Sequence, residues 1–193
     1  MTPFFSVIIP LYNKEKYISK TLETVLNQSF QDFEVIVIND GSTDHSVAEV
    51  EVFEDDRIKL FHQENQGLSI TINNGIAFSS ADYIALIDAD DYWQTNHLQQ
   101  LYDLIKDFPN EGVYGTGYTL KKSKNTYHRA NFNGLPEGFR GIVPDFFKHS
   151  IQHCIAWIGS ICIPKYVFDS IGNFDPEIYS EQDIDLYMQY SVV

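Results

Sequence analysis

The chain has 193 residues, 44% hydrophobic and 21% charged, the make-up of one soluble globular domain with room for a sizeable core. Its 27 acidic against 13 basic residues leave a formal net charge of −14, which argues against nonspecific binding to nucleic acid or to an anionic membrane surface. Cys154 and Cys162 fit neither a disulfide framework nor a zinc spacing and read as reduced, buried thiols of a cytoplasmic protein, and Met1-Thr2-Pro3 lacks the basic region that opens a signal peptide.

Apolar runs alternate with helical patterns through the first half. Phe4 to Pro10, Val35 to Asn39, Arg57 to His62 and Tyr83 to Ile87 read as strands, the last fully buried. Helical spacing falls near 15–27, where Tyr17, Ile18, Leu22, Val25 and Leu26 share a face, and again near 44–52 and 67–79. Such alternation predicts an α/β fold of parallel strands joined by right-handed crossovers, with ligands bound outside the carboxyl ends of the strands. A further helix is expected over 95–107, then a strand from Val113 to Leu120 and a long loop or hairpin over 121–141. Ile158 to Ile163 reads as a strand, Tyr166 to Ser170 as a short helix, and a final helix starts at about Glu181. That helix meets Val193 without a cap, so the chain reads as truncated at its carboxyl end. No stretch is long and apolar enough to span a membrane.

The strand ends carry the chemistry. Asp88-Ala89-Asp90-Asp91 follows the buried run Tyr83–Ile87. Carboxylates clustered there repel one another and resist burial unless a cation sits among them. Mg²⁺ or Mn²⁺ suits such oxygen ligands and keeps part of its shell for phosphate, so the cluster points to a metal-bridged phosphate substrate. The first strand ends in Pro10-Leu11-Tyr12-Asn13, either a plain strand-to-helix turn with Asn13 as cap or a ligand frame with Tyr12 stacked on a base. Asp40, one residue past the second strand's apolar run, reads as an acceptor for a ring N–H, with Gly41 easing the turn and Asp44 capping the next helix. Asn65-Gln66-Gly67 taken alone is an ordinary turn. Trp93 and Trp157 suit either sugar stacking or the core, and the histidines at 128, 149 and 153 have no zinc spacing.

Taken in order, Ser6-Val7-Ile8-Ile9-Pro10-Leu11-Tyr12-Asn13, Asn39-Asp40-Gly41-Ser42-Thr43-Asp44, Asn65-Gln66-Gly67 and Asp88-Ala89-Asp90-Asp91 resemble the motifs of the family 2 glycosyltransferases. That resemblance covers essentially the whole chain and implies the GT-A fold, a Rossmann-like, mixed and mostly parallel sheet flanked by helices in a single domain. It implies an inverting enzyme that moves a sugar from a nucleotide-diphosphate donor, most often a UDP-sugar, to the hydroxyl of a saccharide or lipid-linked saccharide. On matching positions, Pro10, Tyr12, Asn13 and Asp40 would hold the base, with Asn65 and Gly67 also at the nucleotide sugar. Asp88 would face the ribose, Asp90 would ligate Mn²⁺ or Mg²⁺ on the diphosphate, and Asp91 would lie close to the donor sugar. Aligning Asp185-Leu186-Tyr187, supported by Gly172-Asn173-Phe174-Asp175, makes Asp183 the base that deprotonates the acceptor, with Glu181 as runner-up.

By the same resemblance, residues 1–92 form the nucleotide-sugar half and 93–193 the acceptor side, working in cell-surface polysaccharide or lipopolysaccharide assembly, in the cytoplasm or peripherally at the inner face of the membrane. Three positions depart from the pattern: Ile72 stands where an arginine is usual, Gln182 where a glutamate is, and Gln189 where a second arginine is. Ile72 and Gln182, with the abrupt carboxyl end, keep open a non-catalytic or truncated nucleotide-sugar-binding domain. A sugar nucleotidyltransferase is disfavoured, because Pro10-Leu11-Tyr12-Asn13-Lys14 is neither glycine-rich nor basic.

Overall fold

The computed structural model describes residues 2–123 and 126–178. The final helix expected from Glu181, with Gln182, Asp183 and Gln189, lies outside the described residues. In chain order the elements are β1 (Phe5–Leu11), α1 (Ile18–Leu26), β2 (Phe33–Asp40), α2 (Ser46–Glu51), β3 (Ile58–Gln63), α3 (Leu68–Phe78), β4 (Tyr83–Leu86) and α4 (His97–Asp107). Then follow β5 (Tyr114–Gly115), β6 (Thr119–Ser123), β7 (Thr126–Arg129), α5 (Phe146–His149), a 3-10 turn (Ile158–Ser160), β8 (Ile161–Pro164) and α6 (Lys165–Ile171).

Six strands form one sheet in the order β3-β2-β1-β4-β8-β5. The four on the β3 side are parallel, as crossovers through α1, α2 and α3 require. β8 runs antiparallel to both β4 and β5. One edge of the sheet therefore carries the carboxyl ends of β1 to β4 together with the amino end of β8.

The two faces of the sheet can be read from β1. Phe5, Val7, Ile9 and Leu11 point one way, into a core closed by Ile18, Leu22 and Val25 of α1 and by Leu98, Leu101 and Ile105 of α4. Ile8 points the other way, among Ile36, Ile38, Ile84 and Leu86, under Ile72 and Ile76 of α3 and Val167 and Phe168 of α6. At Gly75 of α3 a Cβ would stand 2.5 Å from Cγ2 of Ile8, so glycine lets that helix lie directly on β1.

Two expectations need correction. The run Val113 to Leu120 is not one strand: Tyr114–Gly115 pairs with β8, while Thr119–Ser123 pairs with Thr126–Arg129 in a separate hairpin. Ile158 to Ile163 likewise splits into a 3-10 turn and a strand. The Gly-x-Phe-Asp element is a clasp. Gly172 leaves α6 at φ 96°, Phe174 is buried, and the Asn73 side chain both accepts from Phe174 N (3.0 Å) and donates to Phe174 O (2.8 Å).

Candidate active site

The carboxyl edge opens into a cleft of about 440 Å³ lined by Pro10 and Tyr12 after β1, Asp40 at the end of β2, Asn65 and Gly67 ahead of α3, and Asp88 and Asp90 after β4. Seven of the residues singled out in the sequence thus meet in one cavity. Lys14, Leu68 and Thr71 line it as well and were not foreseen.

Asp40 is buried, and its carboxylate holds the β3–α3 turn. Oδ1 accepts from Gln63 Nε2 (2.7 Å) and Gln66 N (2.8 Å), and Oδ2 accepts from Gly67 N (3.0 Å). A carboxylate oxygen accepts two donors, so Oδ2 keeps capacity for one more. Gly41 brings this turn close: its φ is 70°, and a Cβ there would lie 2.9 Å from Asn65 N.

Asn13 does not cap α1. It sits at φ 52° and ties the first two strand-end turns together, accepting from Thr43 N at 2.8 Å while its own N–H donates to Ser42 Oγ at 3.1 Å. Asp44 stands one residue ahead of His45, which takes the N-cap position of α2; its carboxylate accepts from Ser46 N (3.0 Å) at the start of that helix and from Glu15 N (3.1 Å). These bonds close the β1 and β2 turns into one rim.

The loop after β4 is braced from α1. Thr21 Oγ1 donates to Ala89 O (2.9 Å), Trp93 N donates to Thr24 Oγ1 (3.2 Å), and the Gln28 amide spans Gln94 O and Leu98 N (2.8 and 2.9 Å). Within it Asp91 N donates to Asp88 O (3.0 Å), which turns the chain so that Asp88 and Asp90 line the cleft. Lys14 Nζ donates to Asp90 Oδ2 at 2.5 Å, and the lysine backbone is anchored by its N–H on Ser46 Oγ (2.7 Å). Both side chains are more than a third exposed, so the pair adds little to stability; its interest is that a cation already sits on Asp90.

Asp91 is not among the residues that line that cleft. Burial, then the neighbouring Asp90 charge, push its pKa up, against an indole N–H donated by Trp157 and the Lys14 charge. Gly159 lies against it: a Cβ there would stand 2.7 Å from Asp91 Oδ2. Trp93 is core, 7% exposed, its Nε1 donating to Gly159 O at 2.7 Å, whereas Trp157 is 40% exposed. Ile72 is buried under α3, so its side chain packs in the core rather than lining the cleft. Cys162 is buried and Cys154 partly so, and neither is in a disulfide. Asn131 N donates to His153 Nδ1 (3.2 Å), and His149 Nδ1 lies 2.5 Å from Asn133 O, which places both in structural roles.

Residues 6–167 match the family described as glycosyl transferase family 2. The chain belongs to that family. Among its relatives, the putative glycosyltransferase EpsH of Bacillus subtilis (strain 168) is 41% identical over 156 residues, covering 72% of this chain and 45% of the relative. The solved fold of S. aureus TarS 1-349, seen in complex with UDP-GlcNAc, superposes with a TM-score of 0.66 at 23% identity, over 96% of this chain and 52% of that one. The mannosyltransferase PcManGT from Pyrobaculum calidifontis, in complex with GDP-Man and Mn²⁺, gives 0.69 at 19% identity, over 97% and 53%. The sheet and its crossovers are thus the GT-A fold. This chain spans about half the length of these proteins.

Among the described residues no three His, Cys, Asp or Glu side chains converge as a cage. Asp90 instead offers a single carboxylate that already attracts an ammonium, next to Asp88 in an open cleft. A Mg²⁺-like ion needs no more from a protein when phosphates complete its shell, so the residues fit. No helix among the described residues is long and apolar enough to cross a membrane.

Proposed function

We propose that this chain is the catalytic domain of an inverting glycosyltransferase that takes its sugar from a nucleotide-diphosphate donor of the UDP type. The observation that carries this reading is the order of groups across one cleft: Asp40 from β2, the Pro10–Tyr12 turn from β1, then Asp88 and Asp90 from β4. The free capacity of Asp40 Oδ2 suits a single ring N–H of a nucleobase, and Tyr12, 48% exposed, offers a ring face beside it. Asn65 and Gly67 close the wall next to the nucleoside, with Asn13 holding the rim from behind. Asp88 takes the ribose hydroxyls, Asp91 takes the transferred sugar, and Asp90 is the ligand for Mn²⁺ or Mg²⁺ on the diphosphate. Such an ion neutralises charge on the departing nucleoside diphosphate.

The protein's own part is to hold the donor so that one face of the anomeric carbon is open to the acceptor hydroxyl. Asp183 accepts the hydroxyl proton as the acceptor oxygen bonds to the anomeric carbon and the bond from that carbon to the diphosphate oxygen breaks on the opposite face, so the centre inverts. In this division residues 1–92 bind the donor and 93–193 face a saccharide or lipid-linked saccharide acceptor, in cell-surface polysaccharide or lipopolysaccharide assembly, in the cytoplasm or at the inner face of the membrane. A panel of nucleotide sugars assayed for release of the nucleoside diphosphate tests the reading. Asp183→Asn should keep donor affinity and lose transfer by at least about a hundredfold; full transfer by that variant would overturn the base assignment. A domain that only binds donor would show affinity without any release.

A further inference from the structure

The strand order lays out a sequence of positions along the carboxyl edge. β2 and β1 carry the nucleoside wall, β4 carries the phosphate carboxylates, and β8 comes next on the far side of β4. Because β8 is antiparallel to β4, its amino end lies beside the carboxyl end of β4. Trp157 stands there, immediately ahead of the 3-10 turn that leads into β8.

Three features set this tryptophan apart. Its ring adjoins the Asp91 carboxylate: a Cβ at Gly159 would meet Asp91 Oδ2 at 2.7 Å and Trp157 Cδ1 at 3.7 Å. It nonetheless stays 40% exposed, in contrast to the buried Trp93 two residues beyond Asp91. Third, it is backed by a second aromatic: Tyr118 lies 5.6 Å away at 32°, held by its hydroxyl on Cys154 O (2.9 Å) and followed by Phe132 at 5.9 Å. An indole left in water forfeits much of the apolar burial that makes tryptophan a core residue. Here the exposed ring adjoins a carboxylate next to the phosphate position, and Gly159 has no Cβ to hold that carboxylate off. An aromatic face beside a fixed carboxylate suits a pyranose, whose C–H face is apolar and whose hydroxyls donate hydrogen bonds.

We infer that Trp157, backed by Tyr118, is a saccharide platform: the indole takes the C–H face of a pyranose while the adjoining Asp91 carboxylate takes its hydroxyls. This rests on the glycosyl-transfer reading above. The pyranose is either the sugar of the donor or the sugar that receives it, and one set of titrations separates them.

Wild type, Trp157→Leu and Trp157→Phe would be titrated in Mg²⁺ with UDP, UDP-glucose, UDP-galactose and UDP-GlcNAc, by calorimetry and by tryptophan emission, with Trp93 emission and the melting temperature as internal controls. If the platform holds the donor sugar, Trp157→Leu raises the ratio of sugar-nucleotide to UDP dissociation constants about tenfold and leaves UDP itself unchanged, with Trp157→Phe between. If it holds the acceptor, that ratio stays fixed, and millimolar methyl glucoside, galactoside or N-acetylglucosaminide added to the UDP complex changes Trp157 emission saturably in wild type. Equal responses of wild type and Trp157→Leu to every sugar would overturn the platform, as would a Leu variant that loses UDP as much as UDP-sugars. Failure of UDP to bind wild type would instead defeat the glycosyl-transfer reading, and the platform with it.

Discussion

Replacing Glu34 by glutamine should remove a pH-dependent part of the fold's stability that can be worked out from its contacts. The Glu34 side chain is only 6% exposed, at the start of β2, and ties three segments together. Oε1 accepts from Ser6 Oγ of β1 (2.6 Å) and from Ser80 N and Oγ ahead of β4 (2.7 and 2.8 Å), and Oε2 accepts from Lys59 Nζ of β3 (2.6 Å). Burial opposes its ionisation, but the Lys59, Ser6 and Ser80 bonds outweigh it and bring the pKa from 4.5 down to about 2. That difference corresponds to roughly 3 kcal/mol at neutral pH, reduced to about 2 because the Lys59 side chain is 47% exposed and its charge is screened. A depressed carboxylate contributes fully above its unfolded pKa and loses the contribution as pH falls through the folded one. Urea titrations should therefore show wild type more stable than Glu34→Gln by about 2 kcal/mol at neutral pH, with the gap shrinking below about pH 4.5 and closing toward pH 2. A gap that stayed constant from neutral pH to about pH 3 would refute the reasoning.

Two further substitutions probe the cleft. Asp40→Asn cannot accept from Gln63, Gln66 and Gly67 together, so it should cost about 1–3 kcal/mol in denaturant titration and raise the UDP dissociation constant at least tenfold. Gly159→Ala places a Cβ 2.7 Å from Asp91 Oδ2 and must displace that carboxylate, so sugar transfer should fall roughly tenfold or more while UDP affinity, measured by calorimetry, is kept.

The strand-end cleft was legible in the sequence because its signals are local. A carboxylate cluster directly after a buried apolar run marks a strand end, and that mark needs no distant partner to be read. What the sequence hid depends on distant partners. Lys14 looks like any first-turn lysine until Ser46, 32 residues on, fixes its backbone beside Asp90. Asn13 has the composition of a helix cap, yet a left-handed backbone turns its side chain onto Thr43. Val113 to Leu120 reads as one strand, but its first part pairs with β8 and its last part with β7, a choice of partner that the run itself does not carry. Trp157 could not be told from Trp93 by sequence; only burial separates them.

Calorimetry of UDP binding with Mn²⁺, with EDTA and in Asp90→Ala is the most direct test of a metal-bridged donor in this cleft. Tight binding by wild type in Mn²⁺, falling at least tenfold in EDTA and to the same level in Asp90→Ala, is the expected result. UDP affinity that is equal with and without metal and indifferent to Asp90 would contradict it.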